Sequence, residues 1–169
     1  ALEWGAMAAC DCVVKLGGAA ITKKEELETM DEATLRKVVG QLRVAREAGG
    51  RGAYRCVVVH GAGSFGHFPA KAFGVNGGDL ADERTREGFV RTRVSVTKLN
   101  HIVVEALVKE GIPAVGISPL ACWAGGSPSP ESLAIVARLV EQGFVPVVHG
   151  DAILAPGQRI KSRILSGDT

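Results

Sequence analysis

The chain has 169 residues, 46% hydrophobic and 22% charged, which suits one compact domain or one lobe of a larger one and excludes intrinsic disorder. Twenty Lys+Arg against 18 Asp+Glu leave a net charge of +2, far from the basic balance of a phosphate-backbone binder, so nucleic acid is not an expected partner. Glycine, at 22 residues or about 13% where about 7% is usual, follows no triplet repeat and comes with only 7 prolines; this excludes collagen and low complexity and puts the excess in loops.

At the N-terminus Glu3, Asp11 and Lys15 interrupt any apolar run and no basic segment precedes one, so no secretory signal is expected and the cytoplasm is the default compartment. Cys10 to Leu16 and Tyr54 to His60 carry the β-branched runs Val13-Val14 and Val57-Val58-Val59, which predict strands of a parallel sheet covered on both faces. Between them Asp31 is placed to cap a helix with Leu35, Val38, Val39, Leu42 and Ala45 on one stripe, ended by Gly49-Gly50. A second helical region, Ala81 to Glu110, puts Phe89, Val96, Leu99, Val103 and Leu107 on one side, with Gly88 as a possible break and Gly111 as the stop.

Pro113 to Ser118 reads as a strand, Gly125 to Pro130 as a loop, Glu131 to Gln142 as a helix and Phe144 to His149 as another strand. The segments Gly111-Ile-Pro-Ala-Val and Gly143-Phe-Val-Pro-Val repeat the pattern of helix stop followed by buried strand. Ala152 to Leu154, the turn pair Pro156-Gly157 and Arg159-Ile160 predict a β-hairpin. The fold class is therefore α/β: a mostly parallel sheet with helices on both faces and a hairpin near the C-terminus. Gly111 to Pro130 is the longest uncharged stretch, but its four prolines and four glycines rule out a clean bilayer-spanning helix, so no membrane association is expected. The cysteines, Cys10, Cys12, Cys56 and Cys122, lack paired CxxC spacing and read as reduced, mostly buried thiols. The chain opens on alanine and ends at the turn-like Ser166-Gly-Asp-Thr169, as a fragment of a longer protein would.

The strongest local motif is His60-Gly-Ala-Gly-Ser-Phe-Gly-His67, directly after a buried strand, where glycines let the backbone turn sharply and aim N–H groups at an anion. Residues 61–66 also fit G-x-G-x-x-G, but Pro69 allows only a late helix start and no strand ending in Asp or Glu follows, so a dinucleotide-binding oxidoreductase is disfavoured. Lys15-Leu-Gly-Gly18 ends the first strand in the same way, with Lys23 and Lys24 close behind. Both glycine loops belong at the carboxyl edge of the sheet, where open α/β sheets bind ligands. Val147-Val-His-Gly-Asp151 and Ser166-Gly-Asp168 bring two Gly-Asp pairs to that edge, either as plain turns or as carboxylates that orient lysines or bind magnesium beside phosphates. No Walker sequence, protein-kinase signature or G-x-S-x-G elbow is present.

With these residues in hand, the sequence from Val13 to Thr169 resembles the isopentenyl phosphate kinases of the amino acid kinase superfamily; residues 1–12 would be an extension. The resemblance rests on Lys15-Leu-Gly-Gly with Ile21-Thr22 and Lys24, on the eight-residue His-to-His loop, on Val-Pro-Val-x-His-Gly-Asp and on Leu-Ser-Gly-Asp. It implies transfer of the ATP γ-phosphate to isopentenyl phosphate with Mg²⁺, by an acceptor-binding lobe that stops before the nucleotide lobe and is inactive without it, in a homodimer. Carried over, Lys15, Gly17, Gly18, Ala19, Gly63 and Asp168 would meet ATP, while Ala62, His67 and Gly150 would meet the acceptor. Lys15, Lys24, His67 and Asp168 would form the catalytic set, Lys24 at the transition state and Asp168 organising the lysines. The family usually has serine where Ala19 stands, so one hydroxyl contact to phosphate is lost.

Chemistry alone supports such a mechanism. A monophosphate has a second pKa of about 6, so near neutral pH the acceptor is already a nucleophilic dianion and His67 should donate a hydrogen bond, not abstract a proton. The alternatives are a superfamily kinase acting on a carboxylate and a phosphate-binding remnant without turnover.

Overall fold

The computed structural model describes residues 10–48, 54–124, 127–155 and 160–168. Strand β1 (Cys12–Leu16) leads through a single helical turn, α1 (Gly18–Ile21), into α2 (Glu32–Ala48). Strand β2 (Cys56–His60) is followed by α3 (Gly63–Ala72) and the long α4 (Glu83–Lys109). Next come β3 (Ala114–Ile117), the turn α5 (Pro119–Cys122) and a two-residue ribbon, β4 (Trp123–Ala124) with β5 (Ser127–Pro128). Helix α6 (Pro130–Glu141), β6 (Val145–His149) and the antiparallel pair β7 (Asp151–Ala155) and β8 (Lys161–Leu165) complete the chain.

The main sheet is entirely parallel, in the order β1-β2-β6-β3. Capping follows the sequence: Asp31 Oδ1 accepts from Thr34 N at 3.0 Å and Asp82 Oδ2 from Thr85 N at 2.7 Å, each satisfying an amide of the first helical turn. Gly111 and Gly143 stop α4 and α6 at φ +75° and +82°, a backbone that costs an L-residue. Both helices then release strands that pair with each other, Ala114 opposite Val145, which gives the repeated sequence pattern its physical meaning.

One sheet face carries the main core. Leu35 and Val39 of α2 and Leu99, Val103 and Leu107 of α4 pack with Cys56, Val58 and Val147; burying each such side chain stabilises by about 1.5–3 kcal/mol. On the other face α6 sets Leu133 and Val136 against Val57, Val59 and Val148 around a shallow apolar groove of about 220 Å³.

Several expectations are corrected. Val13 is 66% exposed, because β1 is the edge strand and α6 does not reach it; two-sided cover fails there. Helix α3 starts at Gly63 and contains Pro69, so the proline does not delay it: it stands in the last turns, where one missing N–H breaks only one bond. Gly88 leaves α4 unbroken; it is buried under Phe73, with which a Cβ there would collide. Ala45 is exposed, beyond the reach of the core. All four cysteines are free, but only Cys56 is buried, and Cys10 is exposed at the sheet margin. The expected loop at 125–130 gives way to a ribbon bridge, Trp123 to Pro128, and the start of α6. The hairpin returns on Lys161–Leu165. The expected Gly49-Gly50 stop and the Pro156-Gly157 turn lie outside the described residues. Among the described residues no helix is long and apolar enough to cross a membrane.

Candidate functional site

The carboxyl ends of β1, β2 and β6 meet in a knot of glycines. A Cβ on Gly18 would overlap the backbone nitrogen of Gly63, and a Cβ on Gly61 would stand 2.7 Å from Gly18 N, so the Lys15-Leu-Gly-Gly and His60-to-His67 loops touch through main chain alone. Gly150 and Gly167 close the ring, one facing Ala62 N and the other His60 O, at 3.4 and 3.0 Å from where a Cβ would sit. Gly150 N–H donates to His60 O at 2.9 Å, and Gly61 N–H to Leu16 O at 3.0 Å.

Thr22, 2% exposed, ties the two loops together. Its hydroxyl donates to Gly18 O at 2.8 Å and accepts from Ser64 N at 3.0 Å. Gly63 sits at φ +49° against this hydroxyl, a conformation and a clearance that only glycine meets without strain.

Beside the knot lies a cavity of about 560 Å³. Ala19, Lys24, Ala62, Gly63, His67 and Gly150 line it, so six of the ten positions singled out in the sequence share one space. Ala70, Val96, Ile164 and Leu165 add apolar surface to its lining, and Lys71 adds a second ammonium. Lys15, Gly17, Gly18 and Asp168 do not line it. Gly17 and Gly18 hold the loop behind it, while Lys15 and Asp168 pair with each other outside it. Their side chains are 48% and 67% exposed, and Ser166 Oγ donates to Asp168 Oδ2 at 3.2 Å.

Beneath the site is a buried polar layer that the sequence did not reveal. His60 and His149 stack with ring centroids 5.6 Å apart. Each donates Nδ1–H to the carbonyl of the glycine that follows it, at 3.0 Å, and His60 Nε2 accepts from Asn100 Nδ2 at 3.1 Å. Burial is the main cause that pushes the His60 imidazolium down to about 4, and it lowers His149 as well, so both rings are neutral near pH 7. Asp151, wholly buried, pairs with Arg93 at 2.8 Å; desolvation nonetheless pushes its carboxyl up, against the pull of His149 and Arg93. No local spacing in the sequence links Asn100 or Arg93 to this edge; α4 brings them there.

Comparison with known proteins agrees with this geometry. The sequence model of the amino acid kinase family matches residues 12–169. An isopentenyl phosphate kinase of Arabidopsis thaliana is 43% identical over an alignment covering 93% of this chain and 57% of that protein. The corresponding enzyme of Methanothermobacter thermautotrophicus is 38% identical, covering 92% and 59%. The crystal structure of T. acidophilum isopentenyl phosphate kinase in a product complex superposes with a TM-score of 0.78 at 28% identity, covering 92% of this chain and 61% of that one. The chain thus spans less than two thirds of the length of these relatives. A family match over nearly the whole chain, on a parallel sheet whose glycine loops converge at its carboxyl edge, shows that the chain belongs to the amino acid kinase family.

Proposed function

We propose that this chain binds isopentenyl phosphate and the phosphate end of ATP, and serves a phosphotransfer that yields isopentenyl diphosphate. The observation that carries the reading is the mixed lining of the cavity: His67, Lys24 and the glycine-rich start of α3 suit a phosphate dianion, and Ala70, Val96, Ile164 and Leu165 suit a short hydrocarbon. The relatives' names support the same acceptor. An amino-acid acceptor fits less well, because the only carboxylate on the cavity wall among the described residues, Asp151, is already committed to Arg93 and is not free to hold an α-ammonium.

In this mechanism the chain's work is positioning and charge compensation. Thr22 holds the two glycine loops at a fixed separation, so their amides face the acceptor and donor phosphates together. His67 donates to the acceptor phosphate, Lys24 faces the space where the phosphoryl group moves, and Lys15 meets the ATP phosphates from outside the cavity under the hold of Asp168. Mg²⁺ fits as an ion carried in on the nucleotide: among the described residues no group of three His, Cys, Asp or Glu side chains gathers to cage a metal, and Mg²⁺ commonly rides on substrate phosphates while neutralising their charge. A homodimer in the cytoplasm completes the proposal, the dimer resting on resemblance.

The test is an ADP-release assay with isopentenyl phosphate, acetylglutamate and glutamate as acceptors. It should be run on this chain and on a form extended to the length of its relatives. The expected result is turnover with isopentenyl phosphate alone, in the extended form, at about 1–100 s⁻¹. Turnover only with a carboxylate acceptor would overturn the reading.

A further inference from the structure

Two hydroxyls on the cavity wall are buried and have no hydrogen-bond partner among the described residues: Ser64 Oγ in the first turn of α3 and Thr92 Oγ1 in α4. A helical hydroxyl usually escapes this by donating to a carbonyl one turn back. Thr92 has a carbonyl in place for that, since Gly88 precedes it by one turn of the same helix. Ser64 does not. Four residues before it His60 O accepts from Gly150 N–H at 2.9 Å, and three before it Gly61 O accepts from His60 Nδ1–H at 3.0 Å. The Ser64 amide is spent on Thr22 Oγ1. A serine 2% exposed therefore keeps an unused donor in the wall of a cavity, an arrangement that costs folding free energy unless something that fills the cavity uses it.

We propose that Ser64 donates a hydrogen bond to a phosphoryl oxygen of the ligand held at the N-terminus of α3, as a binding contact additional to Ala62, Gly63 and His67. The proposal rests on reading this cavity as a phosphate-transfer site. Ser64 and His67 lie three residues apart on a ten-residue helix, so they share a face, and both line the cavity. A phosphate dianion has acceptors only, and a serine hydroxyl can rotate to donate, so the two are complementary where a carbonyl partner is lacking. The phosphate could belong to the acceptor or to the nucleotide; both offer the same chemistry.

The experiment is isothermal titration of the protein with isopentenyl phosphate and, separately, with ADP, comparing wild type with Ser64→Ala and Ser64→Cys, together with thermal melts without ligand. A hydrogen bond to a charged group predicts that Ser64→Ala weakens one of the two probes about tenfold or more and leaves the other within twofold, with Ser64→Cys in between. Which probe suffers assigns the phosphate. The unliganded melting temperature of Ser64→Ala should hold or rise, since an unpaired hydroxyl is removed. Unchanged affinity for both probes overturns the proposal, and so does a lower unliganded melting temperature, which would mean that Ser64 bonds within the protein itself. If wild type binds neither probe, the reading of the cavity falls and this inference with it.

Discussion

The ammonium of Lys15, one residue before the end of β1, forms an ion pair with the carboxylate of Asp168, just beyond β8, although the two stand at opposite ends of the described chain. Both side chains are about half exposed or more, so the pair adds little to stability and its worth is positional. In the extended, active protein Lys15→Ala should lower kcat roughly a hundredfold and raise the KM for ATP much less, because its charge matters most as charge shifts in transfer. Asp168→Ala should act through the lysine, so the double variant should lose far less than the two single losses combined. Steady-state kinetics on the four proteins checks this, and additive losses would reduce Asp168 to a turn residue.

His67 is expected to behave as a donor. His67→Ala should weaken isopentenyl phosphate and lower turnover, each about tenfold, while His67→Gln, which can still donate, should keep a measurable part of both. Equal losses in the two variants, with activity recovered at high pH, would instead mark a general base.

The buried imidazole of His60 gives the fold a definite acid response. In the folded chain desolvation above all holds its pKa near 4, against 6.5 for an ordinary histidine. Between these values the unfolded chain binds the extra proton, so stability rises with pH and is lost as pH falls from about 6.5 towards 4, by about 1.4 kcal/mol per unit. His149 is shifted the same way, and Asp151, shifted up by burial, acts in the opposite sense. Urea denaturation at pH 7.5, 6.5, 5.5 and 4.5 should show the loss, and His60→Gln should flatten it; an unchanged slope in the variant would clear His60 of the effect.

At Gly143 the φ of +82° is the whole requirement, since a Cβ there would meet nothing within 4 Å. Gly143→Ala should therefore cost about 1 kcal/mol and Gly143→Asn less, with ligand binding untouched. Thermal melts would show it. No loss with alanine would mean that the turn relaxes.

The features legible in the sequence were those written locally. Val57-Val58-Val59 announces a buried strand, Gly143 a helix stop, and His60 to His67 a sharp glycine turn out of a strand, because in each the residues that act are neighbours in the chain. The features missed depend on distant partners. The exposure of Val13 follows from β1 lying at the edge of the sheet, the burial of Gly88 from the passage of Phe73, and the Asn100–His60 bond from α4 packing against the sheet. Thr22 was seen as part of a motif, but its role as the stitch between loops appears only when Gly18 and Ser64 are seen on either side of its hydroxyl.

The contact of Gly18 with Gly61 and Gly63 carries one more consequence, for how such a site can be probed and how it can change. Walls made of main chain present nothing to truncate, so a scan that trims side chains would pass over the part of the site that brings the two loops together. The informative substitution runs the other way. Gly18→Ala adds a single methyl that must drive the two strand ends apart, and it should abolish phosphate binding while α2 and α4, packed on the sheet through Leu35, Val39, Leu99, Val103 and Leu107, keep their helical signal. Under the proposed function, changes at the apolar lining positions Ala70, Val96 and Ile164 would alter the size of the tail accepted, while the main-chain contact between the loops would keep the phosphates in place.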